Sequence, residues 1–389
     1  MGLSEDLSEE LARLDLAGLK RRMRAIDGSQ GPMIHVDGRA AVNLSSNNYL
    51  GLADHPALAA AAIEATRTFG TGSAASRLIA GSMEPHRRLE QTLGQLHGSG
   101  ALFFNSGYQA NVGLISALAG PEDAVFSDQL NHASLIDGCR LARTQVQVYK
   151  HLDTKDLAQR LASTRARRKL IVSDTLFSLD GDLADVPALQ ELATRHGAAL
   201  ILDEAHAVGV LGPRGRGLAA ETMIQPDAFT GTFGKAYGGF GAFVIAAPPV
   251  VDYLVNRARS FVFTTALPPA VAAAAENAVE LVSGKLGDER RAMLFDRIAQ
   301  LREGLDRLGR LMPGSGHSPV FPLLIGDDRR TMDVSQALLE RGYFVQGIRP
   351  PTVAPGTGRL RLALMATHTA EHIEGVLGVL HDLNRAGRL

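Results

Sequence analysis

The chain has 389 residues and is nearly neutral, 40 Lys+Arg against 41 Asp+Glu, which removes the electrostatic footprint of a general nucleic-acid binder. A single cysteine, Cys139, excludes an intrachain disulfide framework and any multi-cysteine zinc cluster, and no metal site is expected. No apolar run approaches the roughly 20 residues that cross a bilayer, and the acidic start MGLSEDLSEELARL carries no secretion signal, so a soluble protein of the reducing cytoplasm is expected.

Residues 1–54 read as a helix, a basic patch (LKRRMR, 19–24), a hairpin-like passage and SSNNYLGL. From 55 to 284 the apolar runs ALFF, DAVF, VQVY, KLIVS, ALILD, AFTGTF and GAFVIA alternate with helical stretches. Among these are MEPHRRLEQTLGQLH, YQANVGLISALA and DVPALQELATRH. Such alternation predicts an α/β domain built on a mostly parallel sheet covered by helices on both faces. PPVVDYLVNRARSF and PPAVAAAAENAVELV read as helices leading away from it. From 285 to 389 a long polar helix, the strand HSPVFPLLIG, a helix near 331–341, the strand RLRLAL and a last helix predict a smaller α+β domain, with the N-terminal segment a candidate to pack beside it.

The candidate chemistry collects where strands end. ALILDEAHAVGVLG brings an apolar strand to Asp203, with His206 three residues on; ligands of open α/β sheets gather at that edge. Asp203 also reads as a helix cap or, with Glu204 and His206, as part of a metal site. Neighbouring strand residues point to opposite faces, however, and no HExxH spacing is present. FFNSGYQAN presents Ser106, Gly107 and Tyr108 at a helix start, where backbone N–H groups bind anions. His132 follows the DAVF strand, Asp174 and Ser178 follow KLIVS, and Arg349 and Arg361 have the fork that grips a carboxylate. In TFGKAYGGFG, Lys235 sits among glycines just beyond a strand. An anion cradle, an acid, a histidine and a lysine on one sheet edge are the parts that hold pyridoxal 5′-phosphate.

Over nearly its whole length the chain resembles the α-oxoamine synthases, fold-type I pyridoxal-phosphate enzymes. The match is carried in order by SSNNYLGL, SRLIAGS, FFNSGYQAN, NHASLIDG, FSLDGD, DEAHAVGVLG and TFGKAYGG. The resemblance implies a large domain with a seven-stranded sheet and a homodimer with shared active sites. It implies that Lys235 bonds to the cofactor's aldehyde and later acts as base, that Asp203 pairs with the ring nitrogen, and that His206 lies against the phenolic oxygen. His132 would stack on the ring, with Gly107, Tyr108, Ser178 and Thr232 completing the cradle, while Thr264 and Thr265 would reach a neighbouring subunit's phosphate. Arg361 would hold the substrate carboxylate, with Asn47, Ser76 and Arg349 also on the substrate side and Arg21 and Thr352 towards the acyl group. TGSAAS, 71–76, departs by carrying two alanines where relatives often have glycine.

Within the family, IRPPTVAPGTGRLRLAL is most similar to the branch that joins L-alanine to a pimeloyl thioester. The competing expectations are a glycine-using relative with another acyl-CoA and a non-catalytic subunit of the same fold. A dinucleotide enzyme lacks its glycine fingerprint. In the favoured chemistry an ionised Asp203 keeps the ring nitrogen protonated. Burial near other cations would lower the Lys235 pKa towards a neutral amine.

Overall fold

The computed structural model describes residues 2–389 and resolves into two compact units. One contains the chain through Asn47, Leu179–Gly181 and Met293–Leu389; the other contains Asn48–Ser178 and Asp182–Ala292. The N-terminal segment through Asn47 thus shares a unit with the C-terminal part. The division also falls inside the helix Lys285–Arg307 rather than before it.

The first unit opens with helix α1 (Leu3–Leu16) and strands β1 (Ile26–Asp27), β2 (Met33–Val36) and β3 (Arg39–Asn43). β2 and β3 form a two-residue hairpin across Asp37 and Gly38, at φ 51° and 80°. A tight hairpin needs left-handed backbone at both positions, which Asp-Gly supplies. That leaves the far edge of β3 open.

The second unit is the large α/β domain. α2 (Pro56–Phe69) and α3 (Glu84–His97) lead into β4 (Gly100–Phe104), followed by α4 (Gly107–Leu118), β5 (Ala124–Asp128) and α5 (Ala133–Ala142). β6 (Gln145–Tyr149), β7 (Lys169–Asp174), β8 (Ala198–Asp203), β9 (Ala228–Thr232) and β10 (Ala242–Ala246) complete the sheet. The order is β4-β10-β9-β8-β7-β5-β6, with every neighbouring pair parallel except the two that involve β10. All seven apolar runs are therefore strands of one sheet. The interior strands β5, β9 and β10 are buried at every residue, as a sheet covered on both faces requires. One packed face joins Phe104, Val125, Leu170, Val172, Ile201 and Val244 to Leu114 and Ile115 of α4 and Leu135 of α5. Because β10 runs back against β9, the segment between them is a hairpin loop, and that loop carries Lys235.

The C-terminal part of the first unit carries β11 (Val320–Gly326), β12 (Tyr343–Phe344), β13 (Gln346–Ile348) and β14 (Gly358–Ala363), followed by the helix Ala370–Arg385. β14 lies between β11 and β13, antiparallel to both. The two-residue β12 pairs in parallel with β3, closing the edge that the hairpin left open; this pairing ties the N-terminal segment to the C-terminal part. Among the described residues no helix is long and apolar enough to cross a membrane.

Candidate active site

The carboxyl edge of the large sheet gathers most of the chemistry. Asp203 ends β8, is 5% exposed, and accepts at both oxygens: from Asn111 Nδ2 at 2.6 Å and from the Ala205 N–H at 2.8 Å. Its neighbour in register on β7 is Asp174, which accepts from the His132 N–H at 2.7 Å. Burial, and then the adjacent Asp203, hold the Asp174 carboxyl well above the usual carboxylate range. His132 caps α5 and meets Ser134 Oγ through Nδ1 at 2.7 Å. Burial pushes its imidazole below the ordinary value, with Asp203 opposing and Lys235 adding to the shift. A neutral ring suits stacking better than an imidazolium, which would carry charge over a cationic ring.

Glu204 turns away from this cluster. Its carboxylate accepts from Leu218 N–H, Ala219 N–H and Thr175 Oγ at 2.9, 2.8 and 3.0 Å, and burial raises its pKa to about 7. It anchors the loop beyond β8 instead of joining Asp203 and His206. No cluster among the described residues has the three acidic, histidine or cysteine groups that would hold a metal ion. His206, 6% exposed, meets the Tyr49 hydroxyl through Nδ1 at 2.6 Å.

Lys235 is half-buried in the β9–β10 loop, and its carbonyl accepts from the Gly238 N–H at 2.9 Å. Gly238 has φ +66° and a Cβ there would fall 2.4 Å from the Leu52 carbonyl carbon; Gly241, at φ +99°, would meet the Phe103 ring at 2.6 Å. These glycines let the loop fold onto its neighbours in backbone conformations that other residues resist. Thr232 Oγ, at the head of the loop, donates to Gly241 O and accepts from the Gly234 N–H.

At the start of α4 the Ser106 side chain caps Gln109 N–H at 3.3 Å. The N–H groups of Gly107 and Tyr108 meet no acceptor among the described residues, so they remain for an anion. Tyr108 is fixed by its hydroxyl, which donates to Asp137 of α5 at 2.5 Å. Asn105 Nδ2 holds Thr264 Oγ at 3.2 Å and Thr265 O at 2.9 Å. Ser178 follows Phe177 in the turn after β7, half-buried. Ser76 immediately precedes the short π-helix Arg77–Gly81 without a side-chain capping bond, and Ala74 adopts φ 55°, the conformation that a glycine would take freely.

The remaining expected residues lie in the first unit. Arg361 of β14, 9% exposed, donates to Asn47 Oδ1 at 3.0 Å. Arg21 donates to Thr352 Oγ at 2.8 Å, and Arg349 to Lys20 O at 2.8 Å. All four line a cavity of about 750 Å³ with Arg22, Arg24, Met23, Ile26, Phe344 and Ile348. Burial and the like charge of Arg21 lower the Arg349 pKa. The acid in the lining, Asp37, is bound to Arg24 at 2.9 Å, so the cavity is strongly basic with partly apolar walls.

The sequence reasoning left Asn111, Ser134 and Tyr49 without roles. Asn111 donates to both Asp203 and Ser134 Oγ and accepts from Thr230 Oγ at 2.8 Å, so one amide aligns the acid and, through Ser134, the histidine. A signal was there: an asparagine on the helix face that also carries Ala110, Leu114 and Ile115 must find polar partners inside.

A family model described as aminotransferase class I and II matches residues 39–380. An 8-amino-7-oxononanoate synthase from Anaeromyxobacter dehalogenans is 50% identical, covering 99% of this chain and 98% of that protein. One from Burkholderia cenocepacia is 47% identical, with 99% and 100% covered. Among solved structures, a serine palmitoyltransferase from S. paucimobilis with a bound PLP–myriocin adduct superposes at a TM-score of 0.93 with 32% identity over 99% of both chains. The 8-amino-7-oxononanoate synthase from Francisella tularensis superposes at 0.78 with 26% identity, over 90% of this chain and 99% of that one. The architecture is that of the fold-type I transferases.

Proposed function

The chain belongs to the aminotransferase class I and II family, and on that premise we propose that it is a pyridoxal-phosphate acyltransferase. Its reaction joins L-alanine to a pimeloyl thioester, giving 8-amino-7-oxononanoate, carbon dioxide and free thiol in biotin synthesis.

The donor set fits the cofactor. Asp203 accepts at both oxygens and suits a protonated ring nitrogen, the unclaimed Gly107 and Tyr108 N–H groups suit a phosphate, and His132 is neutral for stacking. His206, Ser178 and Thr232 complete the polar surround, and Thr264 and Thr265 are assigned to a second subunit's phosphate in a cytoplasmic homodimer. When bound, pyridoxal phosphate supplies a carbonyl for the substrate amine and a ring that accepts the electron pair left at Cα. Lys235 Nζ would hold the cofactor at rest and, once the alanine amine has taken its place, would be free to accept the Cα proton. Arg361, aligned by Asn47, grips the alanine carboxylate so that the Cα–H bond is oriented for removal. His132 covers the ring and excludes water from that face. Ser76 leaves room for the alanine methyl. Cα would thereby be set to bond to the acyl carbonyl carbon as the thiolate departs and takes up a solvent proton, with the carboxylate lost as carbon dioxide. Lys235 returns a proton to Cα.

The observation that carries the choice of acyl group is the basic cavity around Arg21, Arg349 and Thr352. A pimeloyl chain has methylenes for the apolar walls and an ionised end for the guanidinium groups; an acetyl group offers neither. A panel of alanine, glycine and serine against pimeloyl-, heptanoyl-, succinyl- and acetyl-CoA, scored by thiol release, tests it. Alanine with pimeloyl-CoA should lead, and a clear preference for glycine with acetyl- or succinyl-CoA would refute the assignment. Arg21→Ala should lower kcat/KM for pimeloyl-CoA by about 10- to 100-fold, the usual worth of a charge-assisted hydrogen bond, and leave heptanoyl-CoA little changed. Equal losses for both would mean that the cavity reads the carrier and not the acyl end.

A further inference from the structure

We propose that His151 is a positioning residue for this reaction, an imidazolium clamp between two loops at the carboxyl edge of the sheet, one leading to His132 and the other carrying Ser178. The inference rests on the cofactor roles given above to those two residues.

His151 follows β6. Its Nδ1 meets Asp128 Oδ1 at 2.8 Å, and its Nε2 meets Asp182 Oδ2 at 2.9 Å. Asp128 ends β5 and is fixed as an acceptor by other donors: Leu130 N–H on Oδ1 and Leu152 N–H on Oδ2, at 2.8 and 2.9 Å. The loop it starts reaches His132 through Asn131. The Asn131 amide donates to Ser127 Oγ and Val172 O and accepts from the Asp174 N–H.

Asp182 closes the second loop. Its carbonyl accepts from the Phe177 N–H at 3.0 Å, and Leu176 bridges Leu183 beside it. Ser178 stands next to Phe177, whose ring meets the His151 ring edge-on at 4.5 Å between centroids. The second carboxylate oxygen of Asp182 is buried and without a partner among the described residues.

A neutral imidazole has one N–H and one lone pair, so it would turn a lone pair towards one of these carboxylates. Two acceptors at opposite ends of one ring select the doubly protonated form. Burial opposes that charge, but hydrogen bonds to Asp128 and Asp182 outweigh it and raise the pKa to about 10. Asp128 and Asp182 are the ionisable groups that face the ring. The two ends are unequal. Asp128 keeps two backbone donors if His151 is removed, whereas Asp182 loses the hydrogen bond that holds its carboxylate. The Ser178 loop should therefore loosen first.

The test uses the holoenzyme labelled with nitrogen-15 at histidine. The His151 ring should show two protonated nitrogens from about pH 6 to about pH 9, although an unperturbed imidazole has lost most of its charge above about pH 7.5. A single protonated nitrogen at neutral pH would overturn the proposal. His151→Phe and Asp182→Asn should each weaken pyridoxal phosphate binding by about 10-fold, change the absorbance of the bound cofactor, and lower kcat more than they raise KM for alanine, a loss typical of second-sphere partners. His151→Gln, which keeps one hydrogen bond, should recover part of the loss. Asp182→Asn is the smaller change and serves if His151→Phe does not fold. A lower Tm with unchanged cofactor affinity, absorbance and kcat in the folded variants would make the clamp merely structural and refute the positioning role. Because the pKa is raised, the clamp's stabilisation is complete below about 6.5 and fades as pH rises through about 10. The Tm gap between wild type and His151→Phe should narrow in that direction.

Discussion

Lys235→Ala should fold, bind pyridoxal phosphate without a covalent bond, and turn over at least ~10³-fold more slowly than wild type, as expected when one group serves as both anchor and base. Folding is expected to survive because the loop is held by its backbone and glycines. The contact from Gly238 N–H to the Lys235 carbonyl persists in alanine, and the approaches at Gly238 and Gly241 do not involve the lysine side chain. Borohydride treatment of the wild-type holoenzyme should fix the cofactor on the peptide containing Lys235, and the variant should release it on denaturation. Substantial turnover in the variant, or a borohydride adduct at another residue, would remove Lys235 from the mechanism. The hairpin explains why a lysine stands there. β9 and β10 are the adjacent strands joined by a short return, so this loop is pinned at both ends while the other strand ends run on into helices or longer loops.

Most strands of the large sheet were legible because they are short, largely apolar runs, as burial on both faces demands, with the polar residues of β5 and β9 in their carboxyl halves; β6, QVQVY, shows itself instead by alternation. The helix α4 was legible from its start at Ser106. What escaped had little pattern to offer. β12 and β13 have two and three residues, too few for an alternation to declare itself, and their pairing depends on which edges the rest of the chain leaves open. The helix Thr154–Ser163 went unassigned although Asp153 caps it, because only Leu157 and Leu161 mark its buried face. The tie between the N-terminal segment and the C-terminal part rests on the same two residues of β12, and a parallel pairing that short with β3 carries no sequence signal.

In the candidate site, Asp203, His206 and Lys235 were singled out by residue type, since a charged group beside an apolar strand has few bland explanations once several share an edge. It did not suffice for the partners that aim them. Asn111 and Tyr49 lay inside the quoted motifs, but which side chains they would meet, Asp203 and His206, is decided by packing between segments far apart in the chain. His151 was invisible for a further reason. Its meaning comes from Asp128 and Asp182, residues 23 and 31 positions away, brought together only by the loops after three different strands.

Asp203→Asn should leave the holoenzyme folded but slow the exchange of the alanine Cα proton for deuterium by about 10²- to 10⁴-fold, the range for losing a preorganised electrostatic partner. The substitution keeps shape and removes charge, and it also creates a local conflict. Asn111 and the Ala205 N–H both donate to Asp203, and an amide can accept from only one of them with its oxygen. One buried donor is left facing an NH₂ group, a cost of about 1–3 kcal/mol that should appear as a lower Tm. Thermal unfolding separates that penalty from the chemistry, because the exchange rate is measured well below the transition. The loss should stop short of total inactivation, and Asp174 explains why. Its carboxyl is held above the ordinary range first by burial and second by Asp203, so removing the Asp203 charge removes the second cause and lets Asp174 ionise more readily beside the vacated position. A residual negative charge on the neighbouring strand can then stand in, at poorer geometry, for the one removed. The double variant Asp174→Asn, Asp203→Asn should accordingly exchange more slowly than Asp203→Asn alone. Equal rates for the two would show that Asp174 carries no compensating charge, and undiminished exchange in Asp203→Asn itself would end the case for Asp203 as the partner of the ring nitrogen.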